Sequence, residues 1–417
     1  MTGPVQPSSP RSLDALNALV AGGQTGFGAF IAVHLTAQAW TQGDIGQALA
    51  VGTVVAMASQ VPAGALVDRM RSKRLAVALG AAAVAGSALL FAVTSARLPV
   101  LGAEVLHGFA SCMIGPAIAA ISLQRAGHGG LGERLGRNAR YASLGSAAAA
   151  LAFGGIGTWL PGGAVFWATA AIMVAGLGVA LAMPDGPAAA NRAGAPLAVR
   201  PRALLDLRFL DPRLLDRRLL AFAACIAGFH LANAAMLPLV AGEVTRAAGS
   251  RANLVIAACI VVPQVIVAMA SPLAGRRAEA WGRRPVLLLG FLALPLRGAL
   301  LALGACLGPA WIVAAQALDG ISAAALGVLV PLVAADLTRK TGGFSAALGV
   351  LGLAAGAGAT LSTGLAGLAA DRFGPAAALL ALSGAGIVAA LGLFAVPETR
   401  TASARDDRAV TLEEASP

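Results

Sequence analysis

Long apolar runs alternate with short polar connections from one end of the chain to the other. Each run is about twenty residues, enough for a helix to cross a hydrocarbon core of roughly 30 Å. Twelve spans are predicted, at about 13–37, 43–67, 74–95, 98–124, 139–159, 162–183, 218–241, 252–275, 285–306, 309–335, 343–369 and 374–396. The runs are too long for the strands of a membrane β-barrel, and they lack its polar–apolar alternation. The pattern predicts an all-α polytopic membrane protein.

Composition agrees. Of 417 residues, 58% are apolar and 12% charged, against roughly 25% charged in soluble domains. The net charge of +11 raises the question of a nucleic-acid partner, and its distribution removes it. With both termini and every even-to-odd connection in the cytoplasm, 25 of the 30 Lys and Arg lie on that side. Only Arg97, Arg246, Arg251 and Arg372 lie outside, and Arg297 falls within a span. Such a bias orients a multi-pass protein in the cytoplasmic (inner) membrane, with the lipid bilayer as its surroundings. The four cysteines sit inside apolar spans without metal-ligand spacing, so neither a disulfide framework nor a metal or cofactor is expected.

The expected organisation is a cytoplasmic tail over 1–12, a six-span lobe over 13–183, a cytoplasmic linker over 184–217, a second six-span lobe over 218–396 and a cytoplasmic tail over 397–417. The linker holds Pro184, Pro187, Pro196 and Pro201. Its stretch Leu204–Arg218 reads equally as an amphipathic surface helix or a solvated tether. The lobes share a repeat. Ala56–Ser59 recurs as Ala268–Ser271, Leu106-His107-Gly108 faces Leu318-Asp319-Gly320, and Arg71 matches Arg283, all at an offset of 212. Pseudo-symmetric halves of this kind build transporters around a site near the midplane.

The sharpest local signal is the connection after span 2, running from Gly64 through Asp68 and Arg69 to Lys73 and Arg74. It resembles the signature loop of the major facilitator superfamily, although Met70-Arg71 stand where a second glycine is usual. The resemblance implies twelve helices in two six-helix lobes, and a loop that locks the cytoplasmic ends together in the outward-open state. Asp68 is the expected gating residue, since a carboxylate at a helix end can pair in one conformation and separate in the other. The basic residues are also explained by topology alone. The second half carries a degraded copy, Gly275 to Pro285, with no acid at the position equivalent to Asp68. Pro397-Glu398-Thr399-Arg400 resembles an ending seen in sugar porters of the family.

Intramembrane polar residues supply the candidate chemistry. In span 4, Glu104, His107 and Ser111 share one helical face. A carboxyl and an imidazole one turn apart read as a proton-coupling pair, or as a group hydrated near the outer end. In span 10, Gln316, Asp319 and Ser322 repeat that face, and Asp319 is the expected partner of Arg297. That pair reads equally as a structural staple or a proton switch. Asn17 and Gln24 of span 1, and His230 and Asn233 of span 7, are cavity candidates by the resemblance; inter-helix hydrogen bonding accounts for them as well. Span 5 lacks the Gly-Pro pair of the family's antiporters.

The resemblance and these residues imply a carrier of a small organic solute working by alternating access. It is similar to bacterial drug/proton antiporters, with proton-coupled efflux as the first reading and proton-coupled uptake as the alternative; the small, apolar inventory suits a modestly amphipathic solute better than a heavily hydroxylated sugar. A membrane-embedded enzyme would need converging ligands or a nucleophile–base pair, and no second cluster accompanies Glu104 and His107. The expected partners are the solute and protons. A monomer already contains both lobes.

Overall fold

A computed structural model describes residues 10–27, 30–31, 34–35, 38–40, 42–160, 163–184, 216–240, 252–339 and 341–400. Backbone in hydrocarbon has no water to bond, so it must satisfy its own N–H and C=O groups. The described chain is accordingly helical: α1 (Pro10–Gln24), α2 (Gln42–Arg69), α3 (Lys73–Val93), α4 (Arg97–Trp159), α5 (Ala164–Ala182), α6 (Arg217–Asn233), α7 (Ala252–Trp281), α8 (Arg283–Leu307), α9 (Pro309–Thr338), α10 (Phe344–Phe373) and α11 (Pro375–Gly392), followed by a short 3₁₀ turn at Leu393–Ala395. Among the described residues, ten helical stretches are long and apolar enough to cross a membrane. One of them, Arg97–Gly157, has 61 residues, about 90 Å at 1.5 Å per residue, and so accounts for two crossings. The first expected span enters as α1 and lies only partly within the described residues. This is the all-α, twelve-span architecture.

Three expectations change. Spans 4 and 5 are not separated by an open loop: the basic stretch 123–141 is helical, and α4 is interrupted only at Gly127 (φ 64°, ψ −178°). A side chain at that φ would clash with its own backbone, so the break falls on a glycine. Span 1 is interrupted, since α1 ends at Gln24 and residues 25–27 turn. Span 7 breaks likewise at Ala234 and Ala235, just beyond Asn233. The linker stretch Leu204–Arg218 falls outside the described residues up to 215. From there Asp216 starts α6, its carboxylate accepting from the Arg218 N–H at 2.9 Å.

The chain packs as two compact units, Met1–Arg125 with Arg140–Leu204, and Ala126–Ala139 with Leu205–Pro417. The segment Ala126–Ala139, expected inside the first lobe, thus packs with the second. In the first unit, α1 and α3 pack on α5. A core around Leu16, Phe91, Ile114 and Phe166 is fully buried. In the second, α9 packs on α7 and α8, α6 on α10, and α8 on α11. Large apolar side chains such as Leu98, Leu151, Leu368 and Val388 face outward, as they should where lipid rather than water is the solvent.

Lipid offers no hydrophobic drive between helices, so close backbone approach through small residues supplies the contact. The repeat reappears here in three dimensions. A Cβ on Gly108 would lie 2.6 Å from the Gly52 carbonyl oxygen, and one on its counterpart Gly320 would lie 2.9 Å from that of Pro263. Gly145 meets the Ala18 backbone and Gly358 the Ala227 backbone in the same manner.

Candidate functional site

Each unit holds one polar cluster beside its interrupted helix. In the first, Gln24 at the end of α1 meets α4. His107 Nε2 donates to Gln24 Oε1 at 2.8 Å, and the Gln24 amide lies 3.0 Å from Ser111 Oγ. Phe27, in the turn after α1, stacks on the His107 ring at 3.8 Å between centroids, with planes 5° apart. The imidazole is thereby held on one face by an aromatic ring and at one nitrogen by an amide.

Glu104 does not join that arrangement. The shared helical face led to the expectation of a Glu104–His107 pair, and no hydrogen bond joins them among the described residues. Residues three apart sit about 60° from one another around the helix, so they share a face without their side-chain tips having to meet. Glu104 instead turns toward α2, where its Oε2 occupies the space that a Cβ on Gly52 would fill. It is 3% exposed, and its Oε1 finds no partner among the described residues. Gly52 therefore belongs to the site, and neither composition nor periodicity singled it out.

In the second unit the cluster forms around Arg297 of α8. Its Nη1 donates to Asn233 Oδ1 (2.6 Å) at the end of α6 and to Asp319 Oδ1 (2.7 Å) of α9. Its Nη2 donates to Gln316 Oε1 (2.7 Å), also of α9. The expected partner, Asp319, stands in place, with two amides beside it. The offset of 212 maps Glu104 onto Gln316 and His107 onto Asp319. The units therefore use equivalent positions differently: the first holds an acid with no cation beside it among the described residues, the second a cation with an acid.

Other candidates lie apart. Asn17 donates to the Leu13 carbonyl of its own helix at 2.7 Å, a bond internal to α1. The His230 ring meets that of Phe229 edge-on at 5.5 Å, and its carbonyl accepts from the Ala234 N–H at the end of α6. His34, which sequence reasoning passed over, is buried edge-on against Phe166 at 5.1 Å.

Two cations of the signature loop bond backbone carbonyls of the first unit. Lys73 Nζ donates to the carbonyls of Val67 (2.6 Å), Asp68 (2.9 Å) and Met70 (2.9 Å), closing the C-terminal end of α2 where a cation is favoured. Arg74 reaches the Leu181 and Met183 carbonyls at the end of α5. Gly64 is buried, Asp68 half-buried and Arg69 exposed at the α2 terminus.

In the second half, no acid stands at the equivalent of Asp68, which is Ala280; Glu279, one residue earlier, supplies one. Its Oε1 accepts from the backbone N–H groups of Gly132 (2.9 Å) and Glu133 (3.3 Å). A second cluster forms around Glu398, beyond the 3₁₀ turn. Glu398 accepts from the N–H groups of Arg283 (2.8 Å), Arg284 (2.9 Å) and Arg400 (3.2 Å). Arg283 Nε donates to Asp336 Oδ2 at 2.9 Å, both side chains being buried, and Thr399 Oγ1 donates to the same oxygen at 2.9 Å. Gly282 turns the corner at φ 104°, with a Cβ there meeting the Glu398 carboxylate. The Pro397–Arg400 ending was the sequence signal for this cluster; Asp336 and Glu279 carried none beyond being acids near span ends.

Burial works to raise the Glu398 carboxyl, but the three N–H donors and the Arg283 guanidinium outweigh it and hold the group below its ordinary 4.5. Its stabilisation is therefore complete above that value and lost as pH falls through the depressed folded value. Melting curves of the purified protein should show an acid limb below about pH 4.5 that Glu398→Gln flattens. Equal acid limbs in both proteins would contradict this assignment.

Comparison with known proteins accords with this architecture. The family model of the Major Facilitator Superfamily matches residues 14–265 and 220–414. An uncharacterized MFS-type transporter of Mycobacterium tuberculosis is 36% identical over 403 residues, covering 95% of this chain and 94% of the relative. The human organic anion transporter MFSD10 (TETRAN) shares the fold with a TM-score of 0.75 at 15% identity, over 94% of this chain and all of that one. The proton:xylose symporter XylE does so with a TM-score of 0.70 at 15% identity, over 93% and 95%. With twelve-span architecture, repeat, family match and mycobacterial relative in agreement, this multi-pass membrane protein is a bacterial secondary transporter and belongs to the major facilitator superfamily.

Proposed function

We propose that the chain moves a small organic solute across the cytoplasmic membrane by alternating access, coupled to protons, with both termini inside. The observation that carries this is Glu104, a carboxyl group in a membrane span, 3% exposed, with no cation beside it among the described residues. An ionised group in that setting is costly, and a buried acid without a partner is a proton site by default. Its proton comes and goes only when the surroundings change, which ties protonation to the transport cycle. Asp68 acts as the gating residue of its loop, by resemblance to the family signature. A single chain suffices for transport.

Two signs of coupling are open to such a carrier. Efflux by exchange for protons suits the small apolar inventory of the spans. Uptake together with a proton is favoured by the Arg297–Asp319 pair, because a proton on Asp319 releases the guanidinium it holds.

The test is reconstitution in liposomes with an inward-directed pH gradient, following internal pH while compound pools are added to wild type and to Glu104→Gln. Solute-triggered proton movement should occur in the wild type and fall to background in the variant, and its sign separates exchange from co-transport. Transport by both proteins without proton movement would end the coupling proposal and leave a facilitator.

A further inference from the structure

The polar cluster of the second unit has a bias in its unsatisfied groups. Arg297 is 2% exposed and Gln316 fully buried. Two of their nitrogens lack a partner among the described residues, Arg297 Nε and Gln316 Nε2, and both are donors. Asn233 Oδ1, Asp319 Oδ1 and Gln316 Oε1 each already accept from the guanidinium, and none of them bonds these two donors. Buried polar groups are nearly always bonded, so neighbouring donors left open mark the place of an acceptor that comes from elsewhere.

The geometry says what kind. A guanidinium is built to take an oxyanion through two parallel N–H···O bonds. Asp319 makes a single such bond, through Oδ1 to Nη1, and its side chain is 24% exposed while the arginine behind it is closed off. The acid thus stands at the open side of the cation, where an entering group would displace it. Arg297 is fourteen residues into α8, about 20 Å along the helix and deep in the membrane, beyond reach of lipid phosphates at the surface.

We infer that Arg297, Gln316 and Asn233 form an anion subsite, that the transported solute carries a carboxylate or a comparable oxyanion, and that Asp319 stands in for it in the empty protein. This rests on the transport reading above and specifies its substrate class. A solute carboxylate beside an ionised Asp319 would place two negative charges against one positive. Anion binding therefore goes with protonation of Asp319: the carboxylate and the proton enter together, with no net charge added. Among titratable groups on the helices packed against α9, Arg297 of α8 faces Asp319 directly, Cys259 of α7 lies near Arg297, and His230 of α6 stands one turn before Asn233.

The experiment is binding without a gradient, which separates it from the coupling test of Glu104. Full-length protein in nanodiscs of neutral lipid is titrated with benzoate, salicylate and octanoate, and with the uncharged amide of each, at pH 6 and pH 8. At least one carboxylate should bind about tenfold or more tightly than its amide, the scale of one charge-assisted bond, and bind more weakly at pH 8. Asp319→Asn should bind that carboxylate more tightly than wild type and equally at both pH values. Gln316→Leu, which keeps the Arg297–Asp319 pair that holds the helices, should lose most of the preference for carboxylate over amide. Failure of every carboxylate to outbind its amide overturns the inference. So does an Asp319→Asn protein that binds carboxylates no better than wild type.

Discussion

Gly145→Ala is expected to destabilise the first unit by about 3 kcal/mol or more, at the upper end of overpacking costs. At this crossing of α4 over α1, an added Cβ would sit 2.1 Å from the Ala18 carbonyl oxygen, 2.6 Å from its carbon and 2.7 Å from its Cα. All three atoms are backbone, so no rotamer change relieves the overlap, and the helices must separate. Separation forfeits the close contact that replaces hydrophobic association in lipid. Gly154→Ala is the control, since nothing lies within 4 Å of its Cβ position. Thermal unfolding of the purified variants should show a fall of several degrees or more for Gly145→Ala and essentially none for Gly154→Ala. Matching melting points would mean that the two helices do not cross at this distance.

Asp336→Leu is the second large effect, about 3–5 kcal/mol, because it strips a buried cation of its counter-charge. Arg283 would keep the Ala278 carbonyl at 2.8 Å and lose the carboxylate, while Thr399 loses its acceptor. A double variant with Arg283→Leu removes both charges and should recover much of the loss. The surface pair Arg276–Glu133, at 3.4 Å with both side chains well exposed, is the contrast: Arg276→Ala should cost no more than about 1 kcal/mol. The comparison is read in the same unfolding assay. If single and double variants lose equal stability, the pair is not coupled and the cluster around Glu398 holds residues 398–400 by backbone bonds alone.

Much of the candidate site was legible in the sequence, and the reason differs from residue to residue. Arg297 and Asp319 announce themselves because charge within apolar spans is costly, and depth along each span was enough to match one to the other. Glu104 was found by the same rule, but its partner was misassigned. A shared face limits which residues point the same way, and whether a side chain turns to its neighbour or across to α2 depends on the helix opposite. Gly52 decides that, by leaving room for the carboxylate. His107 took Gln24 instead, a residue 83 positions away. The apolar runs leave the stretch between 124 and 139 as a connection, yet it is helical apart from the break at Gly127, because the end of a helix in sequence is marked by polarity while a polar helix outside the hydrocarbon has no such mark.

What this sequence determined by itself is everything governed by the bilayer as a solvent. Length and apolarity of the runs set the helices, since lipid bonds no backbone, and the offset of 212 carried the repeat between the halves. What only the tertiary structure decided is pairing. The breaks after Gln24 and Asn233, the Glu279 carboxylate beneath Gly132, the docking of Glu398 on Arg283 and the open donors around Arg297 all depend on which helices meet and how closely. Those distances come from small residues at particular crossings, and their effect cannot be read along the chain because each requires the backbone of another helix to be in place.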